Sequence, residues 1–240
     1  MKKPVLKPKA QKGMPAIHQM AVERLAHGLE PVKPATPPLL QWLSWLGVAA
    51  IVVCLLFFYM PLRADLSLSL KSPPFDLMMI FIFSGAVLAA WGAIEASFPG
   101  EESGMKWKLI LSCILWIAAG LLFVFFIPWK AENYMDHITP LPCFVVVFLI
   151  GSLFWVGLGI LVRGNAPLSP GRVGLWSGLS SFLVGLGVIT LHCDSHNLYH
   201  VCFEHFLPVF VYSWLVGWLG AKWVSAWKRK SLPPVLSRNK

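Results

Sequence analysis

Six long apolar runs dominate the chain, at about residues 39–60, 75–98, 109–129, 143–162, 173–193 and 206–227. At 1.5 Å per residue, about 20 residues cross a hydrocarbon layer of about 30 Å. Inside such a layer every backbone polar group must be satisfied internally, so only helices and closed barrels cross it. The runs are continuous and lack the period-two alternation of barrel strands, so the sequence predicts an all-α, polytopic membrane protein with six transmembrane helices. Charged residues make up 13% of the chain and apolar ones 57%, against about 25% charged in an ordinary soluble domain. That balance excludes a water-solvated helical bundle, whose outer faces would need far more charge. The 12 tryptophans and 16 phenylalanines suit a lipid-facing surface with aromatic belts.

The formal net charge is +9, and the placement of the basic residues explains it. Of the 20 lysines and arginines, all but Arg63, Lys71 and Lys130 fall on the side of the two termini. By the positive-inside rule both termini are expected in the cytoplasm. The charge therefore reports orientation, and no direct nucleic-acid partner is needed to account for it. The chain divides into a cytoplasmic N-terminal segment (1–38), a six-helix transmembrane domain (39–228) and a cytoplasmic tail (229–240). The polar, basic leader lacks the short apolar run of a cleaved signal peptide. Connections are short and carry turn signals such as Pro99-Gly100 and Ser169-Pro170-Gly171.

Two polar regions remain for function. In the leader, Ile17, Ala21, Leu25 and Leu29 recur every four residues with Met20 beside them, and Glu23, Arg24 and His27 lie mainly on the other side. Such a helix either rests on anionic lipid, helped by the preceding lysines, or docks its apolar face into a partner's groove. Pro31, Pro34, Pro37 and Pro38 form an extended tether into the first span. The second region is 192–205, which holds four of the seven histidines and two of the five cysteines. The topology puts it outside, at the lip of spans five and six. Were it one helix, His192, His196, His200 and Glu204 would stack on one face.

Imidazole and thiolate are ligands for zinc and for softer metals, so His192, Cys193, His196, His200 and Glu204 are candidate ligands of a transient metal ion. Three readings stay open. The residues are interfacial polar groups without chemistry; or Cys193 pairs with Cys143 or Cys202 in a disulfide; or the cluster senses a metal or an oxidant. The spacing matches no closed zinc signature. Cys54 and Cys113 lie within spans and read as packing residues. Glu95, one turn from Pro99-Gly100 at an interface, reads as structural although a carboxylate in a span is a functional hint.

Several elements together resemble the NrsF family, bacterial inner-membrane anti-sigma factors known as negative regulators of sigma-F. They are the leader Glu23-Arg24-Leu25-Ala26 to Pro31-Val32, then Pro99-Gly100 with Trp107, and Arg163-Gly164-Asn165-Ala166-Pro167-Leu168 with Pro170. Leu191-His192-Cys193 closing span five, His205 opening span six, and Cys143 at the start of span four complete the set. The resemblance runs over about 22–230. It implies a multi-pass inner-membrane protein, not an enzyme, that sequesters an extracytoplasmic-function sigma factor and releases it on a periplasmic metal or oxidant signal. Residues 16–32 would bind the sigma factor, Cys143 and Cys193 would sense, and His192 and His205 would tune or ligate. His196, His200, Cys202 and Glu204 stand outside the family pattern and would enlarge a metal site or offer a rival disulfide partner.

Two other functions compete. A membrane thiol-disulfide oxidoreductase would also need outward cysteines, but the chain has no CxxC pair to set its redox poise. A small metal-ion transporter would need polar ligands near the bilayer midplane, where the spans have almost none.

Overall fold

In a computed structural model, residues 36–98, 105–126, 142–165 and 169–231 are described. The leader, with the segment 16–32 expected to bind the sigma factor, and the tail beyond 231 lie outside them. Among the described residues six helices are long and apolar enough to cross a membrane. They are built on α1 (Pro38–Tyr59), α2 (Pro73–Ala96), α3 (Met105–Phe126), α4 (Cys143–Val162), α5 (Pro170–His192) and α6 (Leu207–Ser231), the sixth span running from Leu198 to Gly220. Proline opens α1, α2 and α5, where its missing N–H would be unpaired in any case and its φ is already helical. A single turn, Leu66–Ser69, lies between α1 and α2, and a 3₁₀ turn, Arg163–Asn165, follows α4.

The bundle is built around α5, which packs against α2, α4 and α6. Its membrane-length stretch is 94% buried, although its mean hydropathy is 1.6; α3, at 2.7, is only 17% buried. This inversion follows from the solvent. Lipid tails are as apolar as leucine, so apolarity alone does not drive one helix onto another, and small residues allow close backbone approach instead. On α5, Gly174 meets the Gly217 backbone of α6, and Gly178 meets Ser213 and Val216. Gly185 faces the Val147 carbonyl of α4, while Gly151 of α4 makes room for the fully buried Phe182 ring. Hydroxyls tie α2 to its neighbours: Ser180 Oγ on α5 donates to Ala86 O, and Ser112 Oγ on α3 donates to Gly85 O, both at 2.8 Å.

Helix α1 is different. Its membrane-length stretch is 11% buried, and the buried residues Gln41, Trp45 and Ala49 form one line at four-residue spacing. Polar contacts hold both its ends. At the Gln41 end, Gln41 and Asn165 exchange side-chain amide hydrogen bonds at 3.0 and 2.9 Å, and Asn165 Nδ2 also donates to Ser97 Oγ at 2.7 Å. Glu95 sits near this end, accepting from Trp91 Nε1 and paired with Lys108 of α3. A neutralised carboxylate with two donors is the structural role expected of it.

A thiol and imidazole cluster at one end of the bundle

At the opposite end α5 finishes at His192, and the backbone turns extended at Cys193, whose N–H still bonds Ile189 O at 2.8 Å. Residues 193–197 are not helical. Asn197 then restarts the helix: its side-chain oxygen accepts from Tyr199 N and His200 N at 2.9 and 3.2 Å, the role asparagine plays at an N-cap. One turn, Leu198–His200, runs into a π-helical stretch, Val201–Phe206, in which Leu207 N–H reaches back to Cys202 O. Pro208 follows and offers no N–H, so the ordinary ladder cannot resume before it.

This local path decides which side chains meet. The break at 193–197 prevents the four-residue stack of a continuous helix and sorts the histidines into two groups. In an α-helix residues five apart point about 140° away from each other; the i→i+5 bonding of a π-helix brings them into line. His200 and His205 accordingly stand edge to face, with ring centroids 5.1 Å apart. Cys193, from the turn after α5, and Cys143, the first residue of α4, complete the cluster. One ligand atom from each of Cys143, Cys193, His200 and His205 lies within 4.8 Å of all the others.

Within it, Cys193 Sγ is 3.4 Å from His200 Nε2. His200 Nδ1 faces Glu204 Oε1 at 3.6 Å, and the other oxygen, Oε2, accepts from Cys143 N at 2.9 Å. Glu204 thus holds an imidazole with one oxygen and the N-terminus of α4 with the other, where a negative charge suits the helix dipole. His205 is 2% exposed, and its Nε2 has no hydrogen-bond partner among the described residues. The neighbouring Cys143 thiol donates to Cys193 and holds it well below the usual thiol range, against the opposing effect of burial and with help from His200 and the His205 charge. Thiols in such electropositive surroundings are the reactive and metal-binding ones. All five cysteines are unpaired, and Cys202, half-buried, stands outside the cluster.

The other two histidines belong to a second group, one that ties the end of α1 to the segment bearing Cys193. His192 Nδ1 donates to Pro61 O at 2.8 Å, and its ring lies 5.9 Å from that of Phe57. Arg63 N–H donates to Leu191 O at 3.1 Å, and its guanidinium grips Asp65 through both oxygens at 2.6 and 2.8 Å. His196 Nε2 closes the group, 3.2 Å from Asp65 Oδ2 and 3.4 Å from Arg63 Nη2. Arg63 pulls the Asp65 carboxyl well below its usual range. Sequence reasoning gave Arg63 a topological role and passed over Asp65. The Arg-Ala-Asp spacing in a loop otherwise poor in charge was the available signal.

The molecule is therefore a polytopic helical membrane protein carrying a compact thiol–imidazole cluster at one end. Residues 25–227 match the NrsF family, described as negative regulator of sigma F. The chain belongs to this family, a class of regulators rather than enzymes. It is similar to the anti-sigma-F factor NrsF of Caulobacter vibrioides (strain NA1000 / CB15N), with 28% identity over 208 residues, covering 83% of this chain and 92% of that protein. No solved structure matches.

Proposed function

We propose that the chain is a membrane-bound anti-sigma factor of the bacterial inner membrane. Its cytoplasmic N-terminal segment holds an extracytoplasmic-function sigma factor and frees it when a periplasmic metal or oxidant acts at Cys143 and Cys193. The observation that carries this reading is the family match across 25–227 joined to the convergence of both cysteines with two histidines. Orientation follows the basic residues. Arg63 shares the cluster's end, whereas Lys108, Arg163 and Arg172 lie toward the other, so the positive-inside rule turns the cluster outward and the leader inward. On the leader, Ile17, Met20, Ala21, Leu25 and Leu29 are the anchors offered to the sigma factor.

Turning a bound-to-free ratio from 99:1 to 1:99 takes about 5.5 kcal/mol of differential interaction. One disulfide or metal site formed in only one of two packing states supplies energy of that order. Affinity capture from native membranes tests the reading. The full-length chain should retain a sigma factor, and a variant lacking residues 1–30 should lose it while staying in the membrane. A full-length chain that retains none refutes the function. Labelling Cys193 in chelator-treated spheroplasts with a membrane-impermeant thiol reagent tests the orientation, and protection that lasts until lysis, with the chelator still present, would reverse it.

A further inference from the structure

The cluster holds more than a pair of thiols needs. Two cysteines suffice for a disulfide, whereas four donor side chains converge here, each with a ligand atom within 4.8 Å of the others. We propose that Cys143 Sγ, Cys193 Sγ and one ring nitrogen each of His200 and His205 form a closed four-ligand site for a borderline-to-soft divalent cation of the zinc and cadmium class, with Glu204 orienting His200 from outside the ligand set. This names the chemistry of the signal for the function proposed above. It rests on that reading for its biological sense and on its own geometry for the binding.

Four observations support it. The donor set, two thiolates and two imidazoles, is one of the closed tetrahedral sets of structural zinc sites. Bond lengths of about 2.3 Å to sulfur and 2.0–2.1 Å to nitrogen put tetrahedral S and N ligands about 3.6 Å apart, and Cys193 Sγ and His200 Nε2 stand at 3.4 Å. The remaining donors, all within 4.8 Å, need only a small inward closure. Among the described residues His205 Nε2 is buried without a hydrogen-bond partner, and an ion is one of the groups that answer such a nitrogen in native proteins. Finally, Glu204 lies against His200 Nδ1, the nitrogen turned away from Cys193. That is the carboxylate–histidine relay that fixes a ligating ring and raises its basicity. Binding would release the remaining thiol protons to water.

The site lies where two chain segments meet, with Cys143 on α4 and the other three ligands after α5. An ion held by all four cross-links those segments without any change in oxidation state.

The test uses full-length protein, reduced, stripped with a chelator and held in detergent micelles. Cobalt(II) should bind at one per chain, with the intense visible absorption of four-coordinate cobalt and a thiolate charge-transfer band, and zinc should then bleach both. Saturating zinc should slow alkylation of Cys143 and Cys193 at least tenfold and leave Cys54, Cys113 and Cys202 unchanged. His200→Ala and His205→Ala should each weaken zinc binding by more than the roughly 10–100-fold typical of outer-shell changes. Glu204→Gln should weaken it about 10–100-fold and keep the four-coordinate spectrum; a lost spectrum would make Glu204 a ligand and overturn the assigned set. Absence of the cobalt spectrum, or wild-type affinity in both histidine variants, overturns the proposal. Where a variant fails to fold, protection of the two thiols in the unaltered chain decides. A chain that binds zinc yet captures no sigma factor sinks only the function, and one that captures the sigma factor but binds no ion sinks only this proposal.

Discussion

Replacing Gly185 by alanine probes how closely α4 and α5 must approach for the cluster to assemble. A Cβ at this position would stand 2.9 Å from the Val147 carbonyl oxygen, 3.4 Å from Gly151 N and 3.6 Å from Val147 Cα. These are backbone atoms, so no rotamer change relieves the contact, and α4 must back away by about 0.5 Å to restore ordinary packing. Val147 is one turn from Cys143, so the displacement reaches a ligand whose position must hold within about 0.2 Å for a metal site. Overpacking costs about 1–3 kcal/mol, offset by about 1 kcal/mol because alanine favours the helix over glycine. Gly157→Ala supplies the control on α4, since no atom of the described residues lies within 4 Å of its would-be Cβ; there the helix preference acts alone. Thermal unfolding of the metal-free proteins in matched micelles should place Gly185→Ala about 1–3 kcal/mol below Gly157→Ala. Zinc affinity should fall about 10–100-fold in the first and stay unchanged in the second. Equal unfolding temperatures and equal zinc affinities for the two variants would refute the argument that backbone contact between α4 and α5 positions the site.

Lys108→Met leaves Glu95 in its half-buried place without its cation and should destabilise the bundle by about 3–5 kcal/mol in thermal unfolding, with Lys108→Met/Glu95→Gln recovering most of the loss. Gln41→Ala removes the amide that exchanges bonds with Asn165 and should cost about 1–3 kcal/mol by the same measurement, because the Asn165 carboxamide keeps its burial and loses a partner. Asp65 titrates well below its ordinary 3.8 because Arg63 holds it. Its contribution to stability is therefore complete above that value and decays as pH falls below it, a dependence that Asp65→Asn should remove from acid unfolding curves. Cys193, likewise depressed from the ordinary thiol value, should alkylate in the reduced, metal-free protein at a rate nearly flat from pH 6 to 8. In Cys143→Ala, which removes the main donor to Cys193, that rate should rise with pH.

The spans were legible because the bilayer imposes a length and an apolarity that few other environments demand. The expected runs and the observed helices agree to within a few residues; α1, for example, spans Pro38–Tyr59 against an expected 39–60. That Cys143 and Cys193 share one end also followed from the pattern, since α4 begins where the antiparallel α5 ends. The grouping of the histidines was not legible. It depends on the extended backbone at Cys193 and on the π stretch ahead of Pro208, and a one-residue change in helical bonding moves a side chain to another face. The central place of α5 was hidden for a different reason. Hydropathy reports preference for lipid, and α5 is chosen to be thin, as Gly174, Gly178, Ser181 and Gly185 on one helical stripe show.

The weak hydropathy of the last two spans also bears on how the protein is made. The fifth and sixth spans, Pro170–His192 and Leu198–Gly220, have mean hydropathies of 1.6 and 1.3, against 2.2 to 2.7 for the four before them. They leave the ribosome last, with the smallest drive to partition into lipid on their own. The grooves that receive α5, lined by Gly85 and Gly92 of α2 and Gly151 of α4, belong to helices already inserted by then. Biogenesis thus runs from self-sufficient spans to dependent ones. Three of the four cluster residues, Cys193, His200 and His205, belong to the dependent pair and the turn between them, so the cluster is completed only once the earlier helices are in place.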